Sequence, residues 1–505
     1  MKTSNKYIQH IRKPKSWVKM GALTLLASVL ITGCKVGQPY QRPEFKNINN
    51  TFYRDSTSVD SVSYNEEADT IKMSEIPWKT YIKDTLLKSF IDTALVNNID
   101  LQKAMKNMDI TMEELAQSNA NFLPSLNATP MGYRREYYSE NYNNYGSNRA
   151  RRNHDENPPT SLYTERLEYT AALQSSWEID LWGKLRWKKE AARAELMKSN
   201  EFKKAVQTAL IANVASTYYN LLMLKAQIAV AEQTLKLNSS TLKMVKLQYD
   251  AGETTSLAVQ QTTSQQLKSK TLIPQLKREY TVLENKLNAL MGRSPQHLTI
   301  NTSLEEVTFQ DHYNTGVPLE LIKNRPDVAL TEYALIASNA KTGVAEALKY
   351  PSLTIDAGIG LNSYKLDKFL NPVSSAFALL NGALFQPIFN NRKLKTNYRI
   401  AVKQREIAQL DFKNKLINAI GDVSNNLATI QNLQEEYEIA QERIQVTRKG
   451  IKDANLLFRG GFANYLEVNT AQNDALESEL NLIKIRKQLL IANVELYRSL
   501  GGGWK

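Results

Sequence analysis

The sequence is poor in the residues that build disulfide, metal and catalytic sites. Its 505 residues include one cysteine, Cys34, and four histidines. A single cysteine cannot form a disulfide within the chain, and the histidines show no metal-ligand spacing to Cys34 or to one another. The sequence contains no G-x-x-x-x-G-K-[ST] phosphate loop, and no histidine stands in a nucleophile motif. We therefore expect a protein that is not an enzyme and that uses no metal, nucleotide or other cofactor.

Long apolar runs are also lacking, and the one short run precedes Cys34. Residues 1–20 carry six basic and no acidic side chains, and residues 21–32 are apolar. That run is too short to span a bilayer, which takes about 20 residues, but it has the pattern of a secretory signal. It ends in Ile31-Thr32-Gly33-Cys34, which looks like a bacterial lipobox. We expect residues 1–33 to be a lipoprotein signal peptide and Cys34 to be acylated; the alternative is an ordinary signal beside an incidental cysteine.

A strong excess of positive charge is missing once the signal is removed. The remaining residues carry 58 basic and 51 acidic side chains, a net charge of +7 against +13 for the whole chain. No basic-aromatic cluster accompanies this mild excess, so nucleic acid is not expected as a partner. No second run of about 20 apolar residues occurs. If the mature chain crosses a membrane, it must therefore do so as β-strands.

An internal repeat organises most of the chain. The segment LQYDAGETTSLAVQQ (247–261) resembles LLFRGGFANYLEVNT (456–470), with equivalent residues 209 positions apart. Upstream, Asp100 and Asp327 are equivalent at a separation of 227 positions. The change in separation places an insertion in the first copy, at the polar, Asn- and Tyr-rich residues 137–161, which we expect to be a long loop.

The repeat predicts the domain boundaries. Each copy has a helix-like segment, two strands, a long helix and a shorter return helix. The predicted segments are 34–85 (lipidated N-terminal segment), 86–292 (repeat 1), 293–317 (connecting segment), 318–501 (repeat 2) and 502–505 (C-terminal tail).

Two segments alternate apolar and polar residues as half-buried strands do. They are residues 167–181 and 352–362, and their predicted partners are 124–136 and 374–389. Fifteen alternating residues exceed the usual strand of about 5–6 residues. They suit the tilted strand of about 10 residues that crosses an outer membrane. A small soluble sheet is the alternative.

Two long helices are predicted after the strand pairs. Residues 184–251 lack proline and glycine, and residues 391–459 lack proline. Helical patterns of this length without caps indicate coiled-coil packing. Gly252 and Gly461 then supply left-handed turns, and Pro274 is expected to kink or break the first return helix.

Several motifs resemble one family of membrane proteins. GCKVGQPYQRP (33–43) resembles the start of mature lipoproteins in the outer-membrane factor family, the TolC-like channels of Gram-negative bacteria, in its NodT-type branch. WKTYIKDTLLKSFIDTALVNNIDLQKA (78–104), NRPDV (324–328), YPSL (350–353) and PIF..R (387–392) fit the same family. The resemblance covers essentially the whole mature chain.

The resemblance implies a mixed α/β membrane protein. Each protomer would give four β-strands and long α-helices, and three protomers would form a 12-stranded outer-membrane β-barrel continued by a periplasmic α-helical barrel. Segments 34–85 and 293–317, with the C-terminus, would form an equatorial belt. The protein would be lipid-anchored in the outer membrane and extend into the periplasm.

The implied function is a passive exit duct of a tripartite efflux system. A homotrimer would carry small toxic molecules, driven by an inner-membrane pump through a periplasmic adaptor protein. The alternatives are an exit duct for type I protein secretion or an ATP-driven exporter, and a periplasmic coiled-coil lipoprotein without a pore. The strand alternation argues against the last, because a spacer does not need four membrane-length strands.

The resemblance also implies a gate at the helix turns. Family members often place an aspartate just after each turn, and here Ala258 and Thr470 stand there instead. Glu467 is the nearest acid to the second turn and is predicted to line the gate; the alternative is a solvated surface glutamate. Tyr249 and Phe458 are predicted to pack the closed tip. Gly252 and Gly461 would mark the turns that face the adaptor or pump.

Overall fold

The computed structural model describes residues 35–44, 73–138, 164–308 and 318–504. Cys34 and most of the predicted loop 137–161 lie outside them. The helices of eight or more residues in this part of the chain are α1 (Thr85–Asn97), α2 (Ile99–Ala120), α3 (Lys184–Asp250), α4 (Ser256–Leu290), α5 (Pro326–Ala347), α6 (Lys393–Arg459) and α7 (Tyr465–Ser499). The strands in the described part of the chain are β1 (Ser125–Tyr138), β2 (Thr164–Ile179), β3 (Ser352–Ser363) and β4 (Ala376–Phe385). Shorter helical segments lie at Met73–Glu75, Trp78–Tyr81, Pro318–Glu320, Leu321–Asn324, Leu366–Phe369 and Pro372–Ser375.

The described chain forms two compact units. The sheet unit contains residues 35–41, 113–193 and 336–406, without the undescribed 139–163. The helix unit contains the rest, including α1, α4, α7 and most of α3 and α6.

The sheet is antiparallel, with strand order β1-β2-β3-β4. It confirms the predicted strands 167–181 and 352–362 as β2 and β3. Leu173 of β2 pairs with Ala128 of β1 and with Ile359 of β3, so these side chains share one face. That face is apolar and open: Leu173 is 46 % exposed and Ile359 60 % exposed. The strand alternation therefore produces an apolar surface that the single chain does not bury.

The helices repeat in length. Helices α3 and α6 each have 67 residues, and α4 and α7 each have 35. Helices α2 and α5 each have 22 residues. The long-helix prediction is confirmed. None of the described helices is both long and apolar enough to cross a membrane.

The structure corrects two expectations about helix continuity: a break at Pro274, one of the two effects expected of that proline, and an unbroken helix at the start of repeat 1. Helix α4 runs from Ser256 to Leu290 with Pro274 inside it, so the proline does not break the helix. The one helix-like segment predicted at the start of repeat 1 is two helices, α1 and α2, separated at Asn98. The Asn98 side chain causes this division, because its Oδ1 accepts hydrogen bonds from the backbone N–H of Asp100 (3.0 Å) and Leu101 (3.0 Å) and so caps α2.

Asn98 and its equivalent Arg325 connect each repeat to its own return helix. Asn98 Nδ2 donates to the carbonyl of Leu290 at the end of α4 (3.0 Å). Arg325 Nη1 donates to the carbonyl of Ser499 at the end of α7 (3.4 Å). In both repeats a side chain at a helix break thus satisfies a carbonyl that the helix end leaves unpaired.

Glycine is required where each return helix ends against backbone. Gly292 and Gly501 have φ of 67° and 96°. A Cβ on Gly292 would lie 2.3 Å from the carbonyl oxygen of Asn97, and one on Gly501 would lie 2.4 Å from that of Asn324. Both the left-handed backbone and the close approach exclude a side chain.

The core of the helix unit contains several buried tyrosines. Tyr218 and Tyr219 are buried, and the Tyr81 and Tyr497 rings stack with centroids 4.2 Å apart. Tyr218 donates to Asp84 Oδ2 (2.7 Å), and burial together with this carboxylate raises the pKa of Tyr218 above its ordinary value. The phenol therefore remains a neutral donor that holds the start of α1.

Candidate functional site: the two helix turns

Two similar turns join the long helices to the return helices. Gly252 follows α3 and Gly461 follows α6, with φ of 81° and 80°. The N–H of Gly252 donates to the carbonyl of Tyr249 (3.0 Å), and that of Glu253 to the carbonyl of Gln248 (2.8 Å). These bonds satisfy carbonyls at the helix end, as in other left-handed C-caps. A Cβ at either glycine would meet no atom within 4 Å, so the left-handed backbone alone favours glycine.

The return helices begin with capped N-termini. The Asn464 Oδ1 accepts from the N–H of Leu466 (2.9 Å) and of Glu467 (3.3 Å). Glu467 therefore lies in the first turn of α7, where the helix dipole favours a negative charge. Its side chain is exposed.

An apolar cluster lies directly behind the turns. This tip cluster contains Val245, Ala258, Phe458 and Val468, one residue from each of α3, α4, α6 and α7. Phe458 is 4 % exposed, whereas Tyr249 is 48 % exposed. The structure thus brings Phe458 into the packing between four helices and leaves Tyr249 at the surface.

Burial explains the missing acid of the first turn. Ala258 is fully buried in the tip cluster, so a carboxylate there would lose its hydration without gaining a partner. Glu467, its equivalent in the second repeat, is exposed, and so is Thr470. The first turn instead has exposed acids at Asp250 and Glu253, on either side of Gly252, which the sequence comparison missed.

Polar side chains join the helices behind the tip cluster. Tyr465 of α7 donates through its hydroxyl to Gln261 Oε1 of α4 (2.6 Å). Gln472 Nε2 of α7 donates to Thr241 Oγ1 of α3 (3.0 Å), and both residues are buried. Such buried polar pairs fix helix register. Sequence reasoning missed them, because nothing distinguishes these positions from solvated polar ones.

The described turns offer no metal site. Within residues 35–44, 73–138, 164–308 and 318–504, no three His, Cys, Asp or Glu side chains are placed together as metal ligands. The arrangement offers packing contacts, capped helix ends and exposed acids.

The fold is similar to that of solved outer-membrane channels. Against the outer-membrane channel OprN the TM-score is 0.81 at 21 % identity, over 93 % of this chain and 100 % of that one. The chain is also 26 % identical over 487 residues to the cation efflux system protein CusC of Escherichia coli O6:H1 strain CFT073, covering 96 % of this chain and 98 % of CusC. It is 26 % identical over 497 residues to the solvent efflux pump outer membrane protein SrpC of Pseudomonas putida, covering 96 % of this chain and 99 % of SrpC.

A match to a family sequence profile identifies the family of this chain. The outer membrane efflux protein profile matches residues 90–293 and 317–502. The chain belongs to the outer membrane efflux protein family.

Proposed function

We propose that this protein is the passive exit duct of a tripartite efflux system. The observation that carries the proposal is the open apolar face of the sheet. The same chain contains two helices of 67 residues each. A coiled-coil spacer without a pore would have no use for such a face. Small molecules would leave through the duct, and the driving energy would come from a partner pump.

The sheet edges favour a ring of three copies. In the four-stranded sheet, β1 and β4 each have one neighbour, so each leaves an edge of backbone N–H and C=O groups. In lipid each unpaired group costs several kcal/mol, so a membrane sheet must close on itself. Four strands are too few to close, whereas three copies supply the twelve strands of the proposed barrel.

The segments outside the repeats would form the proposed belt. Tyr81 donates to the carbonyl of Asn493 (2.9 Å), which supports a position for segment 34–85 along the helices. For segment 293–317, Lys225 Nζ donates to the carbonyl of Ile300 (2.6 Å) and Arg486 Nη2 to that of Val307 (2.7 Å).

The helix turns would serve as both docking surface and gate. Gly252 and Gly461 would mark the ends that meet the adaptor or pump. Phe458 would hold the closed end together from inside the tip cluster, and Glu467 would add an exposed carboxylate three times around the axis. Tyr249, which is exposed in a single chain, would pack only between copies.

Membrane attachment would have two parts. We place the acyl chains on Cys34 and the 137–161 loop on the outer surface; both lie outside the described residues apart from the start of the loop. Labelling cells with palmitate tests the first part, and label retained in Cys34→Ala would contradict it.

Recovery of partners from cells tests the function. We expect mild cross-linking and affinity purification of the tagged protein to enrich a periplasmic adaptor and a proton-driven inner-membrane pump over an untagged control. Enrichment of an ATP-driven exporter would support the secretion alternative instead. Recovery of no inner-membrane transporter would contradict the tripartite duct.

A further inference from the structure

We propose that the connection between β3 and β4 binds the phosphorylated lipid of the outer leaflet. This connection, residues 364–375, is called the rim segment below. Its lysines would bind lipid phosphates, and its exposed apolar side chains would lie among acyl chains. The inference rests on the proposed duct, whose sheet crosses the outer membrane, and it adds a partner that carries both negative charge and apolar chains.

The rim segment lies at the end of the sheet away from the long helices. Helix α3 follows β2 and helix α6 follows β4, and these two strands run in the same direction, so both helices start at one end of the sheet. Strand β3 is antiparallel to both, so its last residue, Ser363, lies at the opposite end. Since the long helices of the proposed duct extend into the periplasm, the rim segment faces outward.

The length of β3 places the rim segment at the membrane surface. The 12 residues of β3 rise about 40 Å at about 3.3 Å each, which is about 30 Å across the membrane at a tilt of about 40°. The apolar band of such a sheet is about 25 Å tall. Ser363 therefore lies at the outer edge of this band, and the residues that follow it lie at the level of the lipid head groups.

Hydrogen bonds and one buried ring fix the conformation of the rim segment. The Ser375 hydroxyl donates to the carbonyls of Phe369 (2.8 Å) and Asn371 (2.7 Å), and Asn371 Oδ1 accepts from the N–H of Val373 (3.1 Å). Phe369 is buried, and its ring centroid lies 6.2 Å from that of Tyr169 on β2. The segment thus holds Phe369 against the sheet.

The apolar surface of the sheet continues onto the rim segment. Tyr169 is four residues from Leu173 in a regularly paired part of β2, so both side chains lie on the open apolar face. In the rim segment, Leu366, Leu370 and Val373 are 55 %, 79 % and 97 % exposed. Phe369, which contacts Tyr169, connects the two surfaces.

Basic side chains accompany this apolar surface. Lys365 and Lys368 are exposed, and Asp367 is the only acid of the rim segment. Arg135 of β1 pairs with Leu167 of β2, so it lies on the same face of the sheet. Ammonium and guanidinium groups bind phosphate oxygens through charge-assisted hydrogen bonds. The outer end of the apolar face therefore offers cations at the level where lipid phosphates lie.

Phosphorylated lipid is the occupant that fits both properties. A soluble anion would leave the exposed leucines and Val373 in water, and an uncharged lipid would leave the lysines without a counter-ion. Contact between two rim segments would bring like charges together, which is unfavourable. Basic and apolar side chains on one short segment are typical of surfaces that lie in a membrane interface.

Binding of lipid A tests the inference. Lipid A is the phosphorylated lipid of lipopolysaccharide, and we expect it to bind the three-chain protein in detergent, as measured by titration in native mass spectrometry. Lys365→Gln with Lys368→Gln should raise the Kd about 25-fold, at about fivefold for each lysine near a lipid surface. The matched control is Lys243→Gln with Lys246→Gln, two exposed lysines near the end of α3, which should leave the Kd unchanged.

A spin label at Val373 tests the acyl-chain contact. In vesicles that contain lipid A, a nitroxide on Val373→Cys should be more accessible to oxygen than to a water-soluble nickel complex, because oxygen concentrates in lipid. Lys246→Cys should show the opposite order, and wild type gives the background from Cys34. Low accessibility of Val373→Cys to both reagents would mean that this position packs between copies, and would overturn lipid as the occupant.

The mass and the conductance of the complex separate the possible failures. Equal lipid A binding by wild type and the Lys365, Lys368 double variant, in a three-chain protein that conducts, would overturn the rim site and leave the proposed duct intact. A protein that remains a single chain and gives no conductance would overturn the proposed duct, and the rim inference with it.

Discussion

Arg325 holds several elements of the second repeat together through its buried side chain. Its guanidinium is buried, forms ion pairs with Asp327 (2.8 Å) and Asp422 (2.6 Å), and donates to the carbonyls of Ala419 and Ser499. One side chain therefore connects the start of α5 to α6 and to the end of α7.

Replacing Arg325 should strongly destabilise the helix unit. Arg325→Met removes the donor that bonds Asp422 and two carbonyls and leaves Asp327 to Lys415, and we expect a loss of about 3 kcal/mol. Thermal unfolding in detergent measures it. The matched control is Lys415→Met, which removes a half-exposed partner of the same Asp327 and should cost less than about 1 kcal/mol. Equal effects of the two changes would contradict a special role for Arg325.

The same cluster predicts a response to acid. Burial raises the pKa of Asp327. Hydrogen bonding and charge from Arg325, and then from Lys415, lower this pKa by more than burial raises it, so it lies below its ordinary value of 3.8. A pKa lowered by folding contributes stability above the unfolded value, and this stability is lost as the pH falls through the folded value. Wild type should therefore be more stable than Asp327→Asn near neutral pH, and the difference should shrink as the pH falls below 3.8. A difference independent of pH would contradict this assignment.

Phe458 and Tyr249 should differ in what they stabilise. Phe458→Ala removes a buried ring from the tip cluster and should cost about 3–5 kcal/mol. Tyr249→Ala removes a half-exposed ring and should cost less than about 1 kcal/mol in a single chain. Hydrogen exchange of residues 245–262 measures this locally. Similar loss of protection in both variants would mean that Tyr249 also packs within the chain.

At the scale of elements, Pro274 is a candidate for stabilisation. Helix α4 continues through it, although proline removes a backbone donor and crowds the preceding turn. We expect Pro274→Ala to raise the unfolding temperature and to increase the free energy of unfolding by at most about 3 kcal/mol. A lower unfolding temperature would show that neighbouring helices require the local geometry that proline imposes.

Element type and length were predictable where a pattern persists along the chain. The alternation over residues 167–181 defines β2, and the absence of proline and glycine over 184–251 predicts α3 almost to the residue. The break at Asn98 was missed although asparagine is a common N-cap. The contacts of Asn98 and Arg325 with carbonyls of helices distant in sequence were not predictable. Packing near the turns was predicted for Phe458 but not for Val245, Ala258 or Val468.

At the scale of the whole molecule, the internal repeat agrees with a chain that supplies one part of the proposed ring. Helices α2, α3 and α4 of repeat 1 have partners of equal length in repeat 2, namely α5, α6 and α7. In the described sheet, the outer edges of β1 and β4 have no neighbouring strand in the same chain. The division of the chain into repeats thus favours a closed assembly.

Single-channel recording in planar bilayers tests the duct most directly. We expect purified three-chain protein to give discrete conductance steps. If the exposed Glu467 lines the gate, these steps should favour cations, and Glu467→Gln should lower that preference and weaken block by multivalent cations. Thr470→Val, close to Glu467 on α7 but uncharged, serves as the control. Equal selectivity in all three proteins would remove Glu467 from the gate. No conductance from assembled protein, under conditions where a known outer-membrane channel conducts, would contradict the account of this protein as a duct.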